Sequence, residues 1–185
     1  LFRSIGGRTY RIDIIGKNHD DLSDGTGKAP LTFQMHDCYD TTYQMNPSNT
    51  NVGGWRDWQM RTQTMPALKT MLPAEVQAGI RAVNKLTSAG NQNPSIVTTS
   101  DELFLLSEIE IFGSTTYSFA GEGLQYDYYK AGNSKVKNRA GSAYFWWERS
   151  SFSQNTSDFC DVHRTGSAFW HGAYNRLCVA FSFCL

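Results

Sequence analysis

The chain has 185 residues, a length that buries a sizeable apolar core in one domain without metals or cross-links. Lys plus Arg number 17 and Asp plus Glu also 17, giving zero formal net charge; with no long basic run, the phosphate-neutralising attraction that drives nucleic-acid binding is missing and no nucleic-acid partner is expected. Aromatic residues reach 14% against 18% charged, which fits either a β-rich core built on rings or a surface that binds through them. No apolar run approaches a membrane span, so no membrane insertion is expected, and Leu1-Phe2-Arg3-Ser4 lacks the apolar stretch of a secretion signal. A first residue other than Met leads us to expect further sequence upstream.

Thr9 to Ile15 alternates apolar and polar residues before Gly16, the pattern of a half-buried strand. Asn18 to Gly27 is rich in turn formers and reads as a loop, and its Asp20, Asp21 and Asp24 read as a solvated turn, since their spacing is not that of an EF-hand. Leu31 to Phe33 is a second strand, and Asn46-Pro47-Ser48-Asn49 turns toward Gly53-Gly54-Trp55. Apolar residues then recur at helical spacing, Met60, Met65, Leu68 and Met71, followed by Val76, Ile80 and Val83; these predict one helix from Trp58 to about Leu72 and another from Pro73 to Leu86. The Met stripe is read as core filler. Asp101 to Ser107 is a compact apolar run behind two acids and predicts a buried strand. From Gly113 to Gly141 the chain turns polar, with Lys135, Lys137 and Arg139, and predicts a long insertion over the surface. Short strands are expected at Ala143 to Trp147, Phe159 to Val162 and Val179 to Leu185.

Four cysteines, Cys38, Cys160, Cys178 and Cys184, show no Cys-x-x-Cys pairing and imply neither a zinc site nor a dense disulfide framework. His19, His36, His163 and His171 are scattered and lie in no hydrolase or metalloprotease context. We therefore assign no catalytic residue, no metal and no cofactor, and expect a binding protein rather than an enzyme. Glu148 and Arg149 read as a structural ion pair or hydrogen-bond anchor beneath the binding loops.

Tyr144-Phe145-Trp146-Trp147-Glu148-Arg149-Ser150, with Gly53-Gly54-Trp55, Met60-Arg61, Leu103 to Glu108 and the ending Val179 to Leu185, resembles the DUF6273 family over roughly residues 9 to 185. That resemblance implies an α+β, C-type-lectin-like fold related to formylglycine-generating enzymes, as one domain over 1-185. Some members resemble the variable proteins of phage and prophage diversity-generating retroelements, whose fixed scaffold carries a changeable C-terminal patch. By that likeness the scaffold is 1-150 and the variable ligand-binding region 151-178, displayed on a virion or cell surface toward a protein or glycan target. The alternatives are a structural virion part and, further off, a formylglycine-generating-type oxidase.

Phe159-Cys160-Asp161-Val162 through Gly166 matches the family pattern Phe-Cys-x-Val-x-x-x-Gly, after which the family's usual run of Asn and Ser is replaced by Phe169-Trp170-His171-Gly172-Ala173-Tyr174-Asn175-Arg176. Between Asn155 and Leu177 only Trp170 lies outside the set of residues that an AAC codon reaches by changing its adenines. Strand alternation predicts Asp161, His163 and Thr165 on one face and Cys160, Val162 and Arg164 on the other, with the apolar face inward. The expected ligand-binding residues are Asp161, His163, Thr165, Ser167, Phe169, Trp170, His171, Tyr174, Asn175 and Arg176; Trp, Tyr, Arg and His are the types that carry interface energy. Trp146, Trp147 and Phe181 are expected to be buried, and Phe169, Trp170, His171 and Tyr174 substantially exposed.

Overall fold

The computed structural model describes residues 2–185. The alternating N-terminal residues form β1 (Phe2–Ile5) and β2 (Arg8–Lys17), which pair with β3 (Leu31–Met35). The last strand, β12 (Ser182–Cys184), inserts between β3 and β6 (Leu103–Phe104), so one antiparallel five-stranded sheet has the order β1-β2-β3-β12-β6. Both ends of the chain therefore build the same sheet, and Phe33 stacks on Phe183 across it. The protein is mixed α and β, mostly strand, with short helices.

The middle of the chain departs from the helical expectation. Gly54–Asp57 forms α1, Met60–Thr64 a π-helical segment, Met65–Lys69 α2 and Ala74–Gly79 α3. Met60, Met65 and Leu68 are core, as their spacing predicts, while Met71 is exposed. The second predicted helix stops at Gly79, because Ile80 turns to extended backbone. Val83–Gly90 is instead β4, paired in a hairpin with β5 (Asn93–Asp101). The Gly-Gly-Trp motif locks this hairpin to α1. A side chain at Gly54 would sit 2.2 Å from the Ser88 carbonyl, and one at Gly90 would sit 1.7 Å from the Asn51 carbonyl, so the two backbones pass at a distance only glycine permits. Trp55 is buried in that contact and donates its indole N–H to Asp101.

The apolar run after Asp101 contributes β6 and then α4 (Glu108–Phe112), closed at its start by a reciprocal Ser107–Glu110 capping box. The 113–141 segment is no surface insertion. It carries α5 (Asp127–Lys130) and buries Glu122, Tyr126, Tyr129 and Lys137 before the small hairpin of β7 (Lys137–Arg139) and β8 (Ser142–Tyr144). Nor is the 18–27 loop wholly solvated. Asp20 is buried, bonded to Lys85, Thr32 and Tyr126, although Asp21 and Asp24 remain exposed. A second, three-stranded sheet has the order β11-β10-β9, with β9 at Trp146–Ser151, β10 at Asp158–Val162 and β11 at Ala168–Gly172. Every residue of β9 is buried, including Trp146 and Trp147.

Candidate functional site: an aromatic edge on a buried polar frame

β9 supplies the rigid base. Arg149 is fully buried and spends its whole guanidinium: Nη1 and Nη2 form a fork with the Glu110 carboxylate at 2.5 and 2.9 Å, and further N–H groups donate to the carbonyls of Leu86, Leu105 and Glu122. Glu110 also pairs with the Lys85 ammonium, which bridges to Asp20 at 2.7 Å. These cations hold the Asp20 and Glu110 carboxyls below their ordinary range against the opposing effect of burial. The network ties β4, α4, the 113–141 segment and β9 into one unit. Arg149 is thus the structural anchor expected of the Glu148-Arg149 pair, but its carboxylate partner is Glu110 and not Glu148. Adjacent strand residues point to opposite faces, and both Glu148 oxygens are buried without a hydrogen-bond partner.

Glu108 accepts the backbone N–H groups of Thr116, Tyr117 and Ser118, which sets Tyr117 over the hairpin of β10 and β11. Asn51, also buried, clamps the loop entering that hairpin. Its side-chain amide N–H groups face the carbonyls of Phe152, Asn155 and Asp158, and its carbonyl oxygen accepts from Asn91 N–H. Removing this clamp takes a donor from the Phe152, Asn155 and Asp158 carbonyls, of which Asp158 keeps the Phe152 N–H, so Asn51→Ala should lower stability by about 1–3 kcal/mol. Amide exchange at residues 152–158 should rise by more than exchange in β2 or β3. Equal change in all three regions would show that Asn51 does not act locally.

Both faces of β10 are covered, with Phe159 to Val162 all buried. Asp161 is sealed, not ligand-facing as the alternation predicts, and Cys160 and Val162 are buried opposite it. Regular strand ends at Val162; His163 to Ser167 form a tight turn closed by the His163 N–H to Ser167 carbonyl bond at 2.8 Å. Arg164, Thr165 and Ser167 are exposed on that turn and His163 is half-buried. The Asp161 carboxylate reaches His171 Nδ1 at 2.7 Å, orienting the imidazole, while its second oxygen has no partner. Burial pushes the Asp161 carboxyl up, opposed by the hydrogen bond from His171.

On the sheet edge, rings from both faces meet. Phe145 lies 4.7 Å from His163 and 4.9 Å from His171, both edge-on, and Phe169 lies within 6.1 Å of it. Trp170 stacks flat on Phe152 at 5.1 Å and tilts against Tyr117 at 4.7 Å; Phe169 stacks on Trp170 at 4.9 Å. The result is one continuous ring surface from His163 to Tyr117. All five residues of β11 are half-buried, so Phe169, Trp170 and His171 show one side each rather than standing free. Tyr174 is exposed at 53% and Arg176 is exposed, donating to the Thr42 carbonyl, while Asn175 is half-buried. Trp146, Trp147 and Phe181 are fully buried.

Sequence reasoning missed Tyr117, Phe145, Phe152 and Asn51. Phe145 sits in the motif that read as scaffold, and Tyr117 in the segment that read as a surface insertion. Among the described residues no group of three or more His, Cys, Asp or Glu side chains converges in a way that could hold a metal ion.

No curated protein and no solved structure matches the chain. The family model described as "Domain of unknown function (DUF6273)" matches residues 31–184, starting later than the sequence motifs imply but spanning β3 to β12. On that match the chain belongs to the DUF6273 family.

Proposed function

We propose that the protein is a ligand-binding module of C-type-lectin-like type, a phage or prophage adhesin that presents the β10–β11 hairpin and the following residues to 176 as its recognition face. The observation that carries this reading is the continuous, half-exposed ring surface of Phe145, His163, Phe169, Trp170, His171 and Tyr117, set on a sheet whose strand β9 is sealed. Rings already ordered by stacking lose little freedom when they meet a partner, and aromatic residues dominate interface energies. The target is a protein or glycan on a cell surface. In this reading the segment from Asp161 to Arg176 is the diversified face of a retroelement variable protein, with Asp161 contributing only by orienting His171.

The test separates recognition from folding. A triple variant, Phe169→Ser, Tyr174→Ser and Arg176→Ser, leaves the Asp161–His171 bond and the Trp170–Phe152 stack in place. We expect its melting temperature to fall by only a few degrees, in line with the roughly 0.5 kcal/mol usual for a surface substitution. Binding to host cells or to a surface-antigen and glycan library should weaken at least tenfold, the equivalent of about 1.4 kcal/mol. Unchanged binding by a folded variant would remove this face as the recognition site.

A further inference from the structure

β11 is an outer strand, bonded to β10 along one side only. The bonds at the two ends of the hairpin fix which of its backbone groups are used. His163 N–H donates to the Ser167 carbonyl at 2.8 Å, and Ala173 N–H donates to the Ser157 carbonyl at 2.9 Å. Antiparallel ladders alternate bonded and non-bonded pairs. With Asp161 opposite Phe169 and Phe159 opposite His171, those two pairs are the bonded ones, and Ala168 and Trp170 turn their N–H and C=O groups away from β10. Among the described residues no other segment takes up these groups. The edge closes only beyond them, where the Gly172 carbonyl accepts from Asn175 N–H and the Ala173 carbonyl from Asn46 N–H.

Open edges are ordinarily guarded by a charged side chain, a proline or a covering element, because a row of free N–H and C=O groups templates another strand. The edge strands β1 and β5 carry Arg3 and Pro94. β11, Ala-Phe-Trp-His-Gly, carries neither Lys, Arg nor Pro, and its residues are half-buried rather than covered. Its side chains leave toward two ring clusters: Phe169 and His171 meet Phe145, while Trp170 meets Phe152 and Tyr117. The charges exposed beside this edge are positive. Arg164 stands exposed on the hairpin turn and, among the described residues, makes no hydrogen bond or ion pair; Arg176 is exposed as well. The nearby acids are occupied, Asp161 by His171 and Asp158 by Asn155 and Ser157.

We infer that β11 captures its target by strand addition, taking an extended acidic peptide segment of a partner protein along its open edge. This rests on the reading of the hairpin as the recognition face and narrows the partner of that face to a protein. The Ala168 and Trp170 backbone groups exchange main-chain hydrogen bonds with the peptide, whose alternate side chains rest on the two ring clusters. A peptide carboxylate beside the turn pairs with Arg164. A second copy of the chain fits this edge less well, because it brings its own Arg164 and Arg176 to the same place, like charge toward like. A glycan offers no ladder of amides at strand spacing.

The test uses the intact chain and a displayed library of random linear peptides. Selected peptides should be rich in Asp and Glu, with β-branched or aromatic residues at alternate positions, and should bind less tightly as salt rises. N-methylation of a selected peptide, one amide at a time, should weaken binding by roughly tenfold at alternate amides of the bound stretch and less at those between. That pattern of period two is the mark of a strand ladder, and it is read on unaltered protein. Ala168→Pro removes an edge N–H at a position where proline is tolerated; it should melt near the wild type and lose roughly tenfold in peptide binding. Arg164→Gln should flatten the salt dependence. No captured peptide, no acidic enrichment, N-methylation effects without the alternation, or a wild-type dimer that Ala168→Pro dissolves would each overturn the inference. Cell binding lost in the Phe169→Ser, Tyr174→Ser, Arg176→Ser variant but kept by Ala168→Pro would overturn strand addition and leave the recognition face in place. Cell binding kept by both would remove the face itself, and the inference with it.

Discussion

Arg149→Met should destabilise the protein by about 3–5 kcal/mol, the usual loss when one member of a buried ion pair is removed. Domains of this size are stable by only about 5–15 kcal/mol, so the midpoint of urea unfolding should fall sharply. The physical reason lies in what remains behind. Glu110 keeps Lys85, but the Leu105 and Leu86 carbonyls lose the guanidinium N–H groups and the Glu122 carbonyl is left with Ser107 alone. Arg149→Lys should rescue little, because an ammonium cannot reproduce the fork that meets both Glu110 oxygens. A loss under about 1 kcal/mol for Arg149→Met, with an unchanged denaturant slope, would show that the frame does not depend on this residue.

The same network explains why parts of the fold were not legible in the sequence. Pattern reading assumes that the inward face is apolar. In β4 the inward residues are Val83, Lys85 and Thr87, while Leu86 faces out. The strand's hydrophobic alternation is therefore scrambled, and Val83 falls into helical register with Val76 and Ile80. The 113–141 segment misleads similarly. Its Glu122, Tyr126 and Lys137 look like surface residues and are core, each made tolerable inside by named partners: Ser88 and Ser150 for Glu122, Asp20 and Lys85 for Tyr126, and the Met35 and His36 carbonyls for Lys137. Where buried residues are apolar, as in the Trp146-Trp147 pair or at Phe181 and Phe183 near the C-terminus, the sequence expectation and the structure agree.

The proposed recognition face was legible for a different reason. Phe169, Trp170, His171 and Tyr174 stand out because large rings replace small polar residues between family-like flanks, and the structure brings the first three into one surface. Its boundary was not legible. Tyr117 arrives from a segment more than fifty residues earlier in the chain, positioned by Glu108, and Phe145 belongs to a motif whose neighbouring Trp residues are buried. Asp161 fails in the opposite sense. Strand alternation places it outward only if one face of β10 is open, and here both faces are buried, with Asp161 sealed and bonded to His171.

Glu148 gives the protein an expected pH dependence of unusual sign. Its carboxyl is buried without a partner, and burial together with the negative charges of Glu108, Asp161 and Glu122 pushes its pKa well above the ordinary 4.5; the neighbouring Arg149 opposes this, but its donors are committed to Glu110 and the surrounding carbonyls. Tyr129 and Cys160, which also face it, are themselves held in their neutral forms by burial. Because the folded pKa is raised, the folded state holds the proton more tightly than the unfolded chain. This contribution to stability is fully present below pH 4.5 and is lost as pH rises through the folded pKa. Glu122 and Asp161 are raised as well and add to the slope, while Asp20 and Glu110 are lowered and act in the opposite direction, losing stability as pH falls through their depressed values. Stability should therefore peak at mildly acidic pH and decline toward alkaline pH, with Glu148 alone contributing up to about 1.4 kcal/mol for each pH unit crossed between its unfolded and folded values. Glu148→Gln keeps the shape of the neutral carboxyl and removes the titration. Urea midpoints measured from about pH 4 to about pH 9 should coincide for variant and wild type at the acid end and diverge upward for the variant as pH rises. Parallel curves would show that Glu148 has the same pKa folded and unfolded, which a sealed and unpartnered carboxyl does not allow.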